Sequence, residues 1–133
     1  MAQEAQGVVL LDVSPGTGEA FEKSFLERVG HPTLVCHGPH EGTLCPLLAG
    51  EGCGEFEAAH GIVFELDLDR PQHRAIVEKY RKLGRDGMPI RVVASPEQVE
   101  QHRELLAGFQ VWTHAPTAAD LDGFAAEVEA ADR

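Results

Sequence analysis

Gly61-Ile62-Val63-Phe64-Glu65-Leu66-Asp67-Leu68-Asp69-Arg70-Pro71 is the stretch that decides the fold. Its first half is a nearly continuous apolar run. Such a run suits a strand covered on both faces of a parallel sheet rather than one with a wet face. Its second half turns polar and closes on a proline. Ala75, Ile76, Tyr80 and Leu83 then recur at helical spacing up to Gly84. The segment is a strand, a loop and a helix.

The same unit repeats on either side. Residues 7–13 form a first apolar strand, broken by Ser14-Pro15-Gly16-Thr17-Gly18. Phe21, Phe25, Leu26 and Val29 then share one helical face, and Gly30 closes that helix. Residues 32–36 make a short second strand and residues 89–94 a fourth. Ser95-Pro96-Glu97-Gln98 opens a helix with Ser as cap, Pro in the first turn and Gln three residues on. Val99, His102 or Arg103, and Leu106 continue it. Residues 109–113 form the fifth strand. Thr117 caps a last helix with Leu121, Phe124, Ala125 and Val128 inward. Residues 37–60 are the least regular, with a short helix expected over 45–49 and a turn over 55–59.

The alternation predicts an α/β fold: a doubly wound, five-stranded parallel sheet with helices on both faces. The 133 residues suit one domain, with 1–6 and 129–133 as tails. Hydrophobic residues make up 43% and charged residues 25%, which excludes a disordered chain. No apolar run is long enough to span a membrane, and the first residues lack the pattern of a secretory signal, so a cytoplasmic location is expected. The net charge of −11 repels phosphate backbones, so nucleic acid is not an expected partner.

In such sheets the chemistry sits where the strands end. There Cys36, His37, His40, Cys45, Cys53 and His60 crowd into 25 positions. Thiolates and imidazoles are natural zinc ligands, so Cys36, His37, Cys45 and Cys53 form a candidate metal or redox cluster. No Cys-x-x-Cys pair exists, however, and Cys45 and Cys53 match no common zinc spacing. Ordinary buried thiols explain the cysteines equally well. His73 and His102 lie on helices and are expected to be solvated. No nucleophile–base pair can be assembled, so enzymatic activity is not expected.

Three segments, Leu66-Asp67-Leu68-Asp69-Arg70-Pro71, Leu11-Asp12-Val13-Ser14-Pro15 and Trp112-Thr113-His114-Ala115-Pro116, resemble those of the response-regulator receiver, a CheY-like, flavodoxin-like fold. Leu66-Asp67-Leu68-Asp69-Arg70-Pro71 resembles the segment in which a phosphoacceptor aspartate ends the third strand and a Met-Pro pair follows. Leu11-Asp12-Val13-Ser14-Pro15 resembles the end of the first strand, where a receiver has two acids. Trp112-Thr113-His114-Ala115-Pro116 resembles the end of the fifth, an aromatic followed by a Lys-Pro pair. The resemblance implies Asp67 as phosphoacceptor, Asp12 and Asp67 as weak Mg²⁺ ligands with Asp69 or Glu65 in support, Ser95 beside the phosphoryl group, and Trp112 as the switch aromatic. It also implies two-component signalling, other signalling proteins as partners, and a homodimer through the last helix-strand-helix face, around Trp112 and residues 98–106 and 117–128.

The departures from that pattern point to a pseudo-receiver. Val13 replaces the second acid, Ala115 replaces the lysine, and Ala94 stands where a Ser or Thr follows the phosphoryl oxygen, leaving Ser95 one residue late. Metal and lysine are the main electrostatic stabilisers of phosphoryl transfer. The leading expectation is therefore docking with impaired or absent phosphorylation, ahead of a working Asp67 relay and of a metal or redox sensor.

Overall fold

The computed structural model describes residues 7–14, 19–37, 54–83 and 88–131. Five parallel strands form one sheet: β1 (Val9–Val13), β2 (Thr33–Cys36), β3 (Gly61–Glu65), β4 (Ile90–Val93) and β5 (Gln110–Trp112). Their order is β2-β1-β3-β4-β5. The order reverses after β2, and the crevice at that switch point lies at the carboxyl ends of β1 and β3. The helices are α1 (Glu19–Arg28), α2 (Gly54–Ala58), α3 (Pro71–Leu83), α4 (Pro96–Gln101), α5 (Arg103–Leu106) and α6 (Ala118–Ala131). α6 thus extends three residues into the stretch expected to be a tail, and the helix expected over 45–49 lies outside the described residues.

The central strands are buried on both faces because β1 and β3 are apolar at nearly every position, not at alternate ones. All five residues of β1 are buried. Leu10, Ile62, Phe64 and Val92 face one way, against Ile76, Val77 and Tyr80 of α3 and Leu106 of α5. Val9, Leu11, Val13 and Val63 face the other way, against Leu26 of α1 and Phe124, Ala125 and Val128 of α6. Each such large apolar side chain contributes about 1.5–3 kcal/mol by leaving water. Gly61 allows the tightest approach: a Cβ there would stand 2.6 Å from a Val128 methyl carbon and 3.0 Å from the Phe124 ring.

Two helices differ from the sequence pattern. In α1, Phe21 and Val29 are exposed, while Leu26 and the charged Glu22, one turn apart, are buried. The apolar spacing gave the helix but not its rotation, because the inward stripe includes a carboxylate. Gly30, at φ 100°, ends the helix as expected. The helix predicted from Ser95 to Leu106 is two pieces. His102 leaves helical geometry (φ −117°, ψ 36°) between α4 and α5. Ser95 and Gln98 do form the reciprocal capping box that opens α4.

Candidate functional site at the carboxyl edge

Asp12 is the fourth residue of β1, level with Phe64 on β3. Strand alternation turns its side chain toward α3. There it is 2% exposed and accepts a hydrogen bond from the Tyr80 hydroxyl. The Tyr80 ring stacks on Phe56 at 5.3 Å and meets the edge of Phe64 at 6.4 Å. Asp12 is therefore the polar tip of an aromatic cluster, its carboxylate engaged from within the core.

Asp67 sits in a different setting. β3 stops at Glu65, and Asp67 lies two residues beyond, exposed, in the bend before α3. Its Oδ1 accepts the Asp69 N–H at 2.9 Å, as a turn-forming aspartate does. The Gln98 side-chain amide donates to the same oxygen at 3.4 Å. The Asp67 N–H donates to Nδ1 of His73 at 3.0 Å, and its carbonyl accepts from Arg70 N–H at 3.0 Å. Arg74 holds the next carbonyl, that of Leu68, at 2.8 Å. Asp67 thus organises the β3–α3 turn and ties it to α4.

The two histidines expected in solvent are not there. His73 is 2% exposed, and because its Nδ1 accepts a backbone N–H, that nitrogen carries no proton. His102 is mostly buried, with Nε2 3.9 Å from a carboxylate oxygen of Asp69. Both side chains turn inward at these positions and lie against the turn.

Ser95 caps α4: its hydroxyl accepts the Gln98 N–H at 3.1 Å. Ala94 is buried beside it and donates its N–H to the Trp112 carbonyl at 3.0 Å. Trp112 is half-buried, edge-on to Phe124 at 6.2 Å, with the Arg91 guanidinium 5.6 Å from its ring centre. Arg91 also lies 5.5 Å from the Phe124 ring and pairs with Glu127 of α6. Trp112 is packed between a cation and a ring, and Leu106 is only 5% exposed.

The Cys/His cluster divides. Cys36 and His37 follow one another at the end of β2, and His37 Nδ1 bonds the Val13 carbonyl at 2.9 Å. His60 stands at the opposite edge, before β3, where its Nδ1 accepts the Val8 N–H at 2.9 Å. Strands of four or five residues separate the two edges by roughly 15 Å. Cys45, Cys53 and His40 lie outside the described residues.

The donor set does not fit Mg²⁺. A hard divalent cation needs several oxygens converging on one point. Among the described residues no group of three His, Cys, Asp or Glu side chains converges in that way. Asp12 is turned to Tyr80 and Asp67 to its own turn. Sequence reasoning missed Tyr80, His73, Gln98 and Arg91. Each reads as an ordinary helix or strand residue, and nothing in spacing says where its polar atom reaches.

No protein-family model and no curated protein matches this sequence. Solved structures do. A response-regulator receiver domain from Francisella superposes with a TM-score of 0.65 at 16% identity, over 96% of this chain and 99% of that one. A CheY-like receiver domain from Methanospirillum hungatei gives 0.59 at 21% identity, over 94% and 96%. A response regulator protein from Burkholderia multivorans gives 0.58 at 15% identity, over 90% and 93%. Strand order, helix placement and these superpositions over nearly the whole length agree: the chain has the CheY-like fold of response-regulator receiver domains.

Proposed function

We propose that this domain is a receiver-like signalling module that docks to other signalling proteins without aspartate phosphorylation. One observation carries the reading. Both acids that a phosphorylation site would use are engaged structurally, Asp12 by Tyr80 in the core and Asp67 by the backbone of its own turn. Ala115 supports it, since no cation stands where a lysine would neutralise a phosphoryl group. The docking surface is the α4-α5, β5 and α6 side, where β5 leaves one sheet edge open. Pairing of two copies through that side is part of the proposal, read by analytical ultracentrifugation.

An amide NMR titration with Mg²⁺ and then beryllofluoride, which imitates an acyl phosphate on aspartate, tests the central statement. The expected outcome is no saturable shift at Asp12 or Asp67. Saturating shifts that disappear in Asp67→Asn would replace this reading with a working relay.

A further inference from the structure

Charge is unevenly placed in this molecule. Six of the eleven lysines and arginines lie between residues 70 and 85, with Glu78 the single acid among them. That stretch is strongly positive in a chain whose net charge is −11. Most of it is α3. Cations suit the last turn of a helix, where they face the negative end of its dipole. The dipole does not explain Arg70 and Arg74, which stand at the opposite end, where cations are disfavoured. Nor do ion pairs use the charges up. Arg81 is held by the Leu105 and Ala107 carbonyls and lies over Phe109, and Arg74 donates to the Leu68 carbonyl. Arg70, Lys79 and Lys82 pair with no acid among the described residues. Pro71, Ala75, Lys79 and Lys82 fall at helical spacing on one stripe of α3. With Gln72 and Glu78 they line a cleft of about 430 Å³. Pro71 and Ala75 contribute its apolar surface, Lys79 and Lys82 its positive charge. Leu83, next to Lys82, is 49% exposed. On the other flank of α3, the cleft toward α4 and α5 is lined by Glu100 and Glu104 as well as Arg74 and Arg103, which confines the positive stripe to the Lys79 side.

We propose that this stripe of α3 is a docking surface for an acidic segment of a partner protein. The segment lays an apolar side chain against Pro71 and Ala75 and turns its carboxylates toward Lys79, Lys82 and Arg70. Charge complementarity selects the partner. An acidic segment is repelled by the rest of the chain and drawn to α3, so the field also sets where it lands. A long phosphate backbone would have to cross the acidic remainder, and it has no use for the apolar surface. The α4-α5, β5 and α6 side is a separate surface, so this inference goes beyond the docking proposed above.

Fluorescence anisotropy on the full chain tests the assignment. The probe is a short labelled peptide rich in Asp and Glu, with leucine anchors. Saturable binding is expected, weakening as salt rises. K79E/K82E should weaken it about tenfold, the loss of two surface ion pairs with repulsion added. K79Q/K82Q should fall between the native chain and K79E/K82E. K23E/R28E makes the same change of charge on α1 and should leave binding within about twofold. None of these four side chains is buried, and circular dichroism confirms that each variant folds. Equal weakening by K79E/K82E and K23E/R28E overturns the assignment, because net charge alone would then govern binding. So does the absence of saturable binding. Equal affinity for a peptide with serine in place of leucine also overturns it, leaving a bare polyanion site. Tighter binding to vesicles of phosphatidylserine and phosphatidylcholine than to the peptide would assign the stripe to a lipid surface instead. The beryllofluoride titration and the ultracentrifugation of paired copies read other residues, so failure here leaves those readings standing.

Discussion

The two faces of the sheet handle polarity in opposite ways. On the side of α3, the one buried acid, Asp12, is held by a tyrosine hydroxyl inside a cluster of Phe56, Phe64 and Tyr80. On the side of α6, the buried cation Arg91 lies between Trp112 and Phe124 and reaches an acid, Glu127, that is 46% exposed. The first arrangement is closed to water and includes the hydrogen bond from Tyr80 to Asp12. The second has an outlet to solvent and draws on two rings as well as an ion pair. The α3 face should therefore fail sharply when its partner is removed, and the α6 face should yield gradually.

The largest expected effect is on the closed face. Tyr80→Phe removes the hydroxyl and leaves the Asp12 carboxylate buried without it, for a loss of about 1–3 kcal/mol in urea unfolding. Adding Asp12→Leu should recover part of that loss, since the acid that the hydroxyl held is then gone as well. If the double variant is no better than Tyr80→Phe, the hydroxyl was not holding the acid and the contrast between the faces fails.

On the open face the order of two variants matters more than their size. Glu127→Ala strands a buried guanidinium and should cost about 1–2 kcal/mol, whereas Arg91→Met leaves only an acid that water already reaches and should cost less. Thermal unfolding of the two variants decides it. The opposite order would mean that the rings, not the acid, hold Arg91.

Each face also has a helix opened by a capping box, and here the contrast sharpens. Ser95 and Gln98 cap α4 with neutral groups. Ser95→Ala should cost about 1 kcal/mol, equally at pH 7 and pH 4. Thr117 and Asp120 cap α6: the Thr117 N–H reaches Asp120 at 3.0 Å, the Asp120 N–H reaches the Thr117 hydroxyl at 3.2 Å, and His114 adds a third contact at 2.9 Å.

The Thr117 N–H first, and then His114, hold the Asp120 carboxyl below its ordinary value. A lowered folded-state value means the contribution is present above the ordinary carboxyl range and is lost as pH falls through the folded value. Asp120→Asn should therefore flatten the acid limb of the stability curve slightly. Because solvent screens the cap at the surface, this is the smallest effect of the set, and an unchanged acid limb would remove the charge from the cap.

The sequence made the elements legible where local physics is strong. Continuous apolar strands, the Ser95-Pro96-Glu97-Gln98 box and the inward stripe of Leu121, Phe124, Ala125 and Val128 all stand as expected. Asp67 stands four residues before Pro71, the spacing that carries the receiver resemblance, while the ladder itself stops two residues earlier at Glu65. His73 and His102 were placed in solvent because a helical residue's exposure depends on which neighbour covers it, and that neighbour is a turn formed by Asp67 and Asp69.

By itself, the sequence determined the alternating order of strands and helices, the parallel sheet and the absence of a lysine at Ala115, because periodicity, capping and residue identity are local properties. Only the tertiary structure decided that Asp12 belongs to Tyr80, that Asp67 belongs to its own turn, and that Glu65 ends the strand. Hydrogen-bond partners 68 residues apart, as Asp12 and Tyr80 are, meet only when helix and sheet have packed, and no spacing along the chain records that meeting.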